Sequence, residues 1–159
     1  DEAESHVLQP MLEKAVKGRD FMNLVAVDNA NRVDGLDTGS FSDIDDKVVT
    51  MYFTKAVSFP NSFYHKAGEE NKPLTLKVNC KNILINYKTS TDASFGNAAF
   101  YIDGELVTTA EGHTSGAWNN CNCILVLDEK EAAEHVLEVK MAEGSEDKAF
   151  TILSIGYTE

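Results

Sequence analysis

The run from Phe100 to Thr109 reads Phe-Tyr-Ile-Asp-Gly-Glu-Leu-Val-Thr-Thr, with Asp103-Gly104 set between two stretches of apolar and β-branched residues. A type I′ turn needs positive φ at both central positions, which Asp-Gly adopts at low cost, so this run predicts a tight antiparallel hairpin. The same β character recurs at short intervals along the chain. Phe21 to Val27 predicts a first strand, and the polar, glycine-bearing segment from Asp28 to Asp46 predicts a loop. Val48 to Thr54, Leu74 to Asn79, Ile83 to Lys88, Cys121 to Leu127, His135 to Met141 and Phe150 to Tyr157 then alternate or are rich in β-branched and aromatic residues. About eight or nine strands separated by turn residues, without helices long enough for parallel crossovers, predict an all-β fold: an antiparallel β-sandwich or jelly roll.

Two segments read as helical. Near the N-terminus Val7, Leu8, Met11, Leu12, Ala15 and Val16 repeat at three and four, and Gly18 follows Lys14 and Lys17 as a stop. Pro10 removes a donor, which places the start of this short helix between Ser5 and Gln9. The second segment, Glu129 to Glu134, is too brief to connect parallel strands. The chain of 159 residues is long enough for one core. Its predicted organisation is an N-terminal helix or linker over residues 1–18 and a β-sandwich domain over 19–159.

The charge balance is 14 basic against 26 acidic side chains, a formal net of -12. Such a surface repels nucleic acid and anionic membranes, so neither is an expected partner. No apolar run approaches the ~20 residues that span a bilayer. Cys121 and Cys123, two apart in a predicted strand, share a face and are poorly placed to bridge each other, whereas Cys80 could meet one of them across strands. Their redox state and the compartment stay open on the cysteines.

The chain contains no Gly-x-Ser-x-Gly, and His6, His65, His113 and His135 are scattered without metal-hydrolase spacing. No cofactor is therefore expected, with calcium the one candidate: Asp43, Asp45 and Asp46 offer hard oxygen ligands in a loop, though without the spacing of an EF-hand. Sugar binding calls for aromatic rings that stack on pyranose faces, with amides and acids to take the hydroxyls. Two clusters have that composition. One is Phe59, Phe63, Tyr64 and His65 around Pro60-Asn61, where Phe59 and Phe63 are expected to serve as packing. The other is Trp118 with Asn119, Asn120 and Asn122, after a loop bearing His113 and Gly116.

The ordered series Asn82-Ile-Leu-Ile-Asn-Tyr-Lys88, Ala99-Phe-Tyr-Ile-Asp-Gly-Glu105, Trp118-Asn-Asn120, Glu134-His-Val-Leu-Glu-Val139 and Phe150 to Tyr157 resembles the β-sandwich accessory domain attached to bacterial SGNH/GDSL-type esterases, carbohydrate esterases among them. The resemblance covers residues 48–159 and rests on the Tyr-x-Asp-Gly hairpin together with the Glu-His-x-hydrophobic strand. It implies a non-catalytic accessory module that binds carbohydrate or positions a substrate. Its implied partners are a polysaccharide or oligosaccharide and a preceding catalytic domain, in a setting that favours the extracellular space or cell envelope. The alternative it leaves is a purely structural domain that packs on the catalytic one or mediates oligomerisation. The Gly-Asp-Ser and Asp-x-x-His blocks of such esterases are missing from this chain, so no catalytic residue is expected. The expected ligand contacts are Trp118, Asn119, Asn120, Tyr64 and His113.

Overall fold

A computed structural model describes residues 24–47, 49–52, 55–116 and 118–159, with backbone alone for 49–52, 55–58 and 118. The expected N-terminal helix, and with it the boundary at residue 18, lies outside the described residues. Among the described residues ten strands follow one another: β1 (Val25–Val27), β2 (Leu36–Asp37), β3 (Val49–Tyr52), β4 (Lys55–Ser58), β5 (Phe63–His65), β6 (Leu74–Ser90), β7 (Asn97–Ile102), β8 (Glu105–Glu111), β9 (Trp118–Met141) and β10 (Phe150–Thr158). Among the described residues there is no helix, and every strand pairing is antiparallel.

Eight strands form one sheet in the order β1-β10-β6-β9-β7-β8, with β2 also on β6 and β5 also on β10, while β3 and β4 pair separately. β6 and β9 are long enough to run through both halves of this sheet. Leu74 to Cys80 pairs with Val139 to Ala133, and Asn82 to Ser90 pairs with Asp128 to Trp118, with register shifts at Cys80/Asn82 and Ile83/Leu84. Extra residues at such shifts bend a strand and increase its twist, which lets a single sheet turn a corner. The two halves then face each other. Phe100 of β7 meets Phe150 of β10 edge-on at 6.3 Å, and Tyr87 of β6 stacks on Phe150 at 5.6 Å. One core takes in Leu74, Leu76, Ile83, Ile85, Phe100, Leu137, Val139, Phe150, Ile152 and Ile155 from both halves. The result is the antiparallel β-sandwich that the strand pattern predicts.

The hairpin has the expected geometry: Asp103 and Gly104 carry φ of 52° and 85°. Its tip is also tied to β9, in a way the turn chemistry alone does not foretell. The Asp103 amide donates to the Val136 carbonyl at 2.9 Å, its Oδ1 accepts from the Val136 amide at 2.9 Å, and its Oδ2 lies 2.7 Å from Nδ1 of His135. The Tyr-x-Asp-Gly and Glu-His segments are therefore neighbours in space.

Several expectations need correction. Glu129 to Glu134 is strand, not helix: Ala133 and Glu134 pair with Cys80 and Asn79, and residues 129–132 bulge out opposite Lys81, exposed. Cross-strand pairing on both sides outweighs the helix propensity of a six-residue Glu-Lys-Glu-Ala-Ala-Glu segment. The segments 74–79 and 83–88 are one strand, β6, because the bulges bend the chain without ending its ladder. The polar stretch from Asp28 to Asp46 includes the two-residue β2, which pairs Leu36 and Asp37 with Leu76 and Thr75. The cysteines do not meet: Cys80 stands opposite Ala133, whereas Cys121 and Cys123 stand opposite Lys88 and Asn86. Burial raises all three thiols, Cys80 to about 11 and Cys123 to about 12.

Candidate functional site

At the end of the sandwich where β6 finishes and β9 begins, a cleft of about 340 Å³ opens between the 45–47 segment, Tyr64, the 90–95 loop and Asn119. Its floor is a buried ion pair. Nζ of Lys88 donates to Oδ2 of Asp45 at 2.5 Å, and the two side chains are only 3% and 5% exposed. Thr151 Oγ1 donates to the same oxygen at 2.8 Å, the Lys47 amide donates to Oδ1 at 3.1 Å, and the Asp45 amide donates to Ser62 Oγ at 2.9 Å. A buried charge pair is tolerated only when its remaining hydrogen-bonding capacity is filled in this way.

Aromatic rings form one wall. Phe95 lies 4.5 Å from the Lys88 ammonium, in cation–π contact, and Tyr64 stacks on Phe95 at 6.3 Å with the planes 18° apart. Tyr64 is fixed from both sides of β5, by pairing with Thr151 and by exchanging backbone hydrogen bonds with Asp43 at 2.8 and 3.3 Å. Its hydroxyl pKa is raised above 10.0 by burial first and then by the carboxylates of Asp45, Asp92, Asp43 and Asp46.

The 90–95 loop supplies the polar rim. The Asp92 amide donates to Ser90 Oγ at 3.1 Å, and Asp92 Oδ1 accepts the Ser94 amide at 2.9 Å, a local turn that places a carboxylate at the cleft mouth. The hydrogen bonds from Ser94, ahead of the nearby Lys47 and Lys88 charges, hold the Asp92 carboxyl below its ordinary 3.8. Asn119, also in the lining, adopts φ of 55°, a left-handed conformation that asparagine tolerates, and its Nδ2 reaches the Lys47 carbonyl at 3.5 Å.

Of the residues expected from sequence, Tyr64 and Asn119 both line this cleft. His113 lies behind it, exposed, with Nδ1 donating to the Asp92 carbonyl at 3.0 Å, so it braces the rim without lining the cleft. Asn120 is exposed one residue further along β9, and its carbonyl accepts from Thr89 Oγ1 at 3.5 Å. The Trp118 backbone pairs with Ser90, itself a lining residue, while its side chain is outside the described atoms. Phe59 and Phe63 are buried packing residues, as expected.

Of Asp43, Asp45 and Asp46, the expected calcium candidates, the first two point to different partners. Asp45 faces the Lys88 ammonium, Asp43 pairs with Lys66 at 3.3 Å, and no group of three candidate metal ligands converges among the described residues. Sequence reasoning missed Lys88 and the cleft role of Phe95. The available signals were a lysine ending an otherwise apolar strand and a single aromatic residue in the polar Thr-Ser-Thr-Asp-Ala-Ser-Phe-Gly loop.

No protein-family model and no curated protein sequence matches the chain. Solved structures do share its fold. A two-domain esterase (CEX) active on acetylated mannans, co-crystallised with mannopentaose, superposes with TM-score 0.63 and 16% identity over 86% of this chain and 37% of that one. A family two carbohydrate esterase from Cellvibrio japonicus gives 0.57 and 11% over 86% and 33%. A family 35 carbohydrate binding module from an environmental isolate gives 0.56 and 13% over 82% and 90%. The chain thus spans about a third of the two esterases and nearly the whole of the binding module. Its fold is the jelly-roll β-sandwich of these modules.

Proposed function

We propose that this chain is a non-catalytic carbohydrate-binding module that works beside a hydrolase of the carbohydrate-esterase type, SGNH/GDSL in class. The observation that carries the reading is the cleft itself: a stacked Tyr64–Phe95 pair, with the Asn119 amide and the Asp92 carboxylate in the same lining as the buried Lys88–Asp45 pair. Aromatic faces take the apolar side of a sugar ring, and fixed acceptors and donors take its hydroxyls. The similarity of fold to carbohydrate-binding modules, and to about a third of two carbohydrate esterases, supports the same reading. Trp118 and Asn120 enter as contacts on their sequence pattern and His113 as a brace for the rim. The domain boundary at residue 18 belongs to this proposal.

The test is calorimetry with manno- and xylo-oligosaccharides, plain and acetylated. Heat is expected with at least one of them and is expected to fall strongly in Asn119→Gly, which suits the left-handed backbone, and in Trp118→Ala, both of which keep close to the wild-type unfolding midpoint. A folded sample that gives no heat with any of these glycans would remove the reading.

A further inference from the structure

We propose that the buried Lys88–Asp45 pair is the positioning device of the cleft: its charges, rather than its volume, hold the lining groups at their spacing. This rests on the carbohydrate-binding reading above and gives a role to two of its lining side chains. Stability alone is a poor reason for the pair. Taking two charges out of water costs about as much as their attraction returns, and apolar residues of similar volume often serve a fold as well or better. Lys88 and Asp45 are nonetheless almost water-free, and both line the cleft.

The pair is linked to each part of that lining. The Lys88 ammonium lies 4.5 Å from the centre of the Phe95 ring, and Phe95 in turn stacks on Tyr64. The Phe95 amide donates to the Asp92 carbonyl at 3.1 Å, so the residue that Lys88 attracts also closes the turn that carries the Asp92 carboxylate. On the other side of the pair, Asp45 Oδ1 accepts the Lys47 amide, and the Lys47 carbonyl accepts the Asn119 side-chain amide. Thr151 Oγ1 donates to Asp45 Oδ2, the same oxygen that Lys88 uses, which ties the pair to β10. Tyr64, Phe95, Asp92, Lys47 and Asn119 all line the cleft, and each stands one or two contacts from the ion pair. An ammonium draws a ring face and a carboxylate towards one point, which an apolar chain of the same length does not. A ligand held by both a ring and an amide gains when their spacing is fixed beforehand, because ordering them on binding subtracts from affinity.

The experiment compares three variants of the intact chain: the double change Lys88→Met with Asp45→Asn, Thr151→Val, and Leu137→Ala. Each is titrated by calorimetry with manno- and xylo-oligosaccharides, and NOE contacts between the Tyr64 and Phe95 rings are recorded without ligand. The double variant is expected to bind about tenfold more weakly and to lose the ring contacts. Thr151→Val, which changes a residue outside the lining, is expected to bind about threefold more weakly with the contacts reduced. Leu137→Ala, destabilised by a cavity in the core, is expected to keep wild-type affinity and ring contacts. Wild-type affinity in the folded double variant, or intact ring contacts in it, would overturn the positioning role. Where the double variant does not fold, Thr151→Val decides by the same two criteria. A wild-type chain that binds none of the glycans would overturn the carbohydrate reading, and the ring contacts would still decide the role of the pair.

Discussion

At the scale of single residues, although the buried Asn86 Oδ1 has no hydrogen-bond partner, most buried polar side chains are held by hydrogen bonds. Lys88 and Asp45 exemplify this: removing one member leaves the other charged and out of water, which is worse than never having placed either. Lys88→Met is therefore expected to lower unfolding stability by roughly 3–5 kcal/mol in urea titrations. The double change Lys88→Met with Asp45→Asn should recover part of the loss. Asp103 makes a weaker but pH-dependent contribution. Its carboxyl lies below 3.8 because the Val136 amide and then His135 bind the ionised form. A depressed folded pKa gives stability that is present above the unfolded value and lost as pH falls through the folded one. The group is half exposed, so the contribution is small. Asp103→Asn, which keeps a residue tolerant of positive φ in the turn, should flatten the wild-type decline in stability below about pH 4.

At the scale of elements, β9 has two unequal parts. Residues 129–132 bulge into solvent opposite Lys81, whereas Leu137, a few residues on, is fully buried in the common core. Glu131→Gly is expected to cost less than about 1 kcal/mol, because no buried contact is lost. Leu137→Ala should cost about 2–5 kcal/mol by leaving a cavity. Chemical denaturation of both variants checks the contrast. This element also marks the limit of local reading. Alternation exposed its ends, Cys121 to Leu127 and His135 to Met141, but the seven residues between them are mostly helix formers and show no alternation. Only pairing with β6 on either side of residues 129–132 carries the strand through them, and a partner that starts near residue 74 is invisible from residue 131. The hairpin of β7 and β8 is the opposite case, since its turn is specified by two adjacent residues.

At the scale of the whole molecule, residues 19–159 are expected to unfold in a single cooperative transition and to keep glycan binding once residues 1–18 are removed. Scanning calorimetry and the titrations above test this, and loss of the transition would move the boundary. The site was half legible in the same sense. Tyr64 and Asn119 could be chosen for their chemistry, an aromatic ring and an amide beside turn residues. Asp45 was read as a calcium ligand because its partner, Lys88, is 43 positions away. Phe95 passed unnoticed because one aromatic residue in a polar loop has no meaning until Tyr64 and Lys88 lie against it. By itself, the sequence determined what adjacent residues can dictate: the β class, the antiparallel turn at Asp103-Gly104 and the alternating faces. The tertiary structure alone decided the corner where β6 and β9 bend, the lysine that neutralises Asp45, and the cleft that gathers Tyr64, Phe95, Asp92 and Asn119. Turns and alternation follow from backbone sterics within a few residues, while pairing register and charge compensation depend on neighbours that only the folded chain brings together.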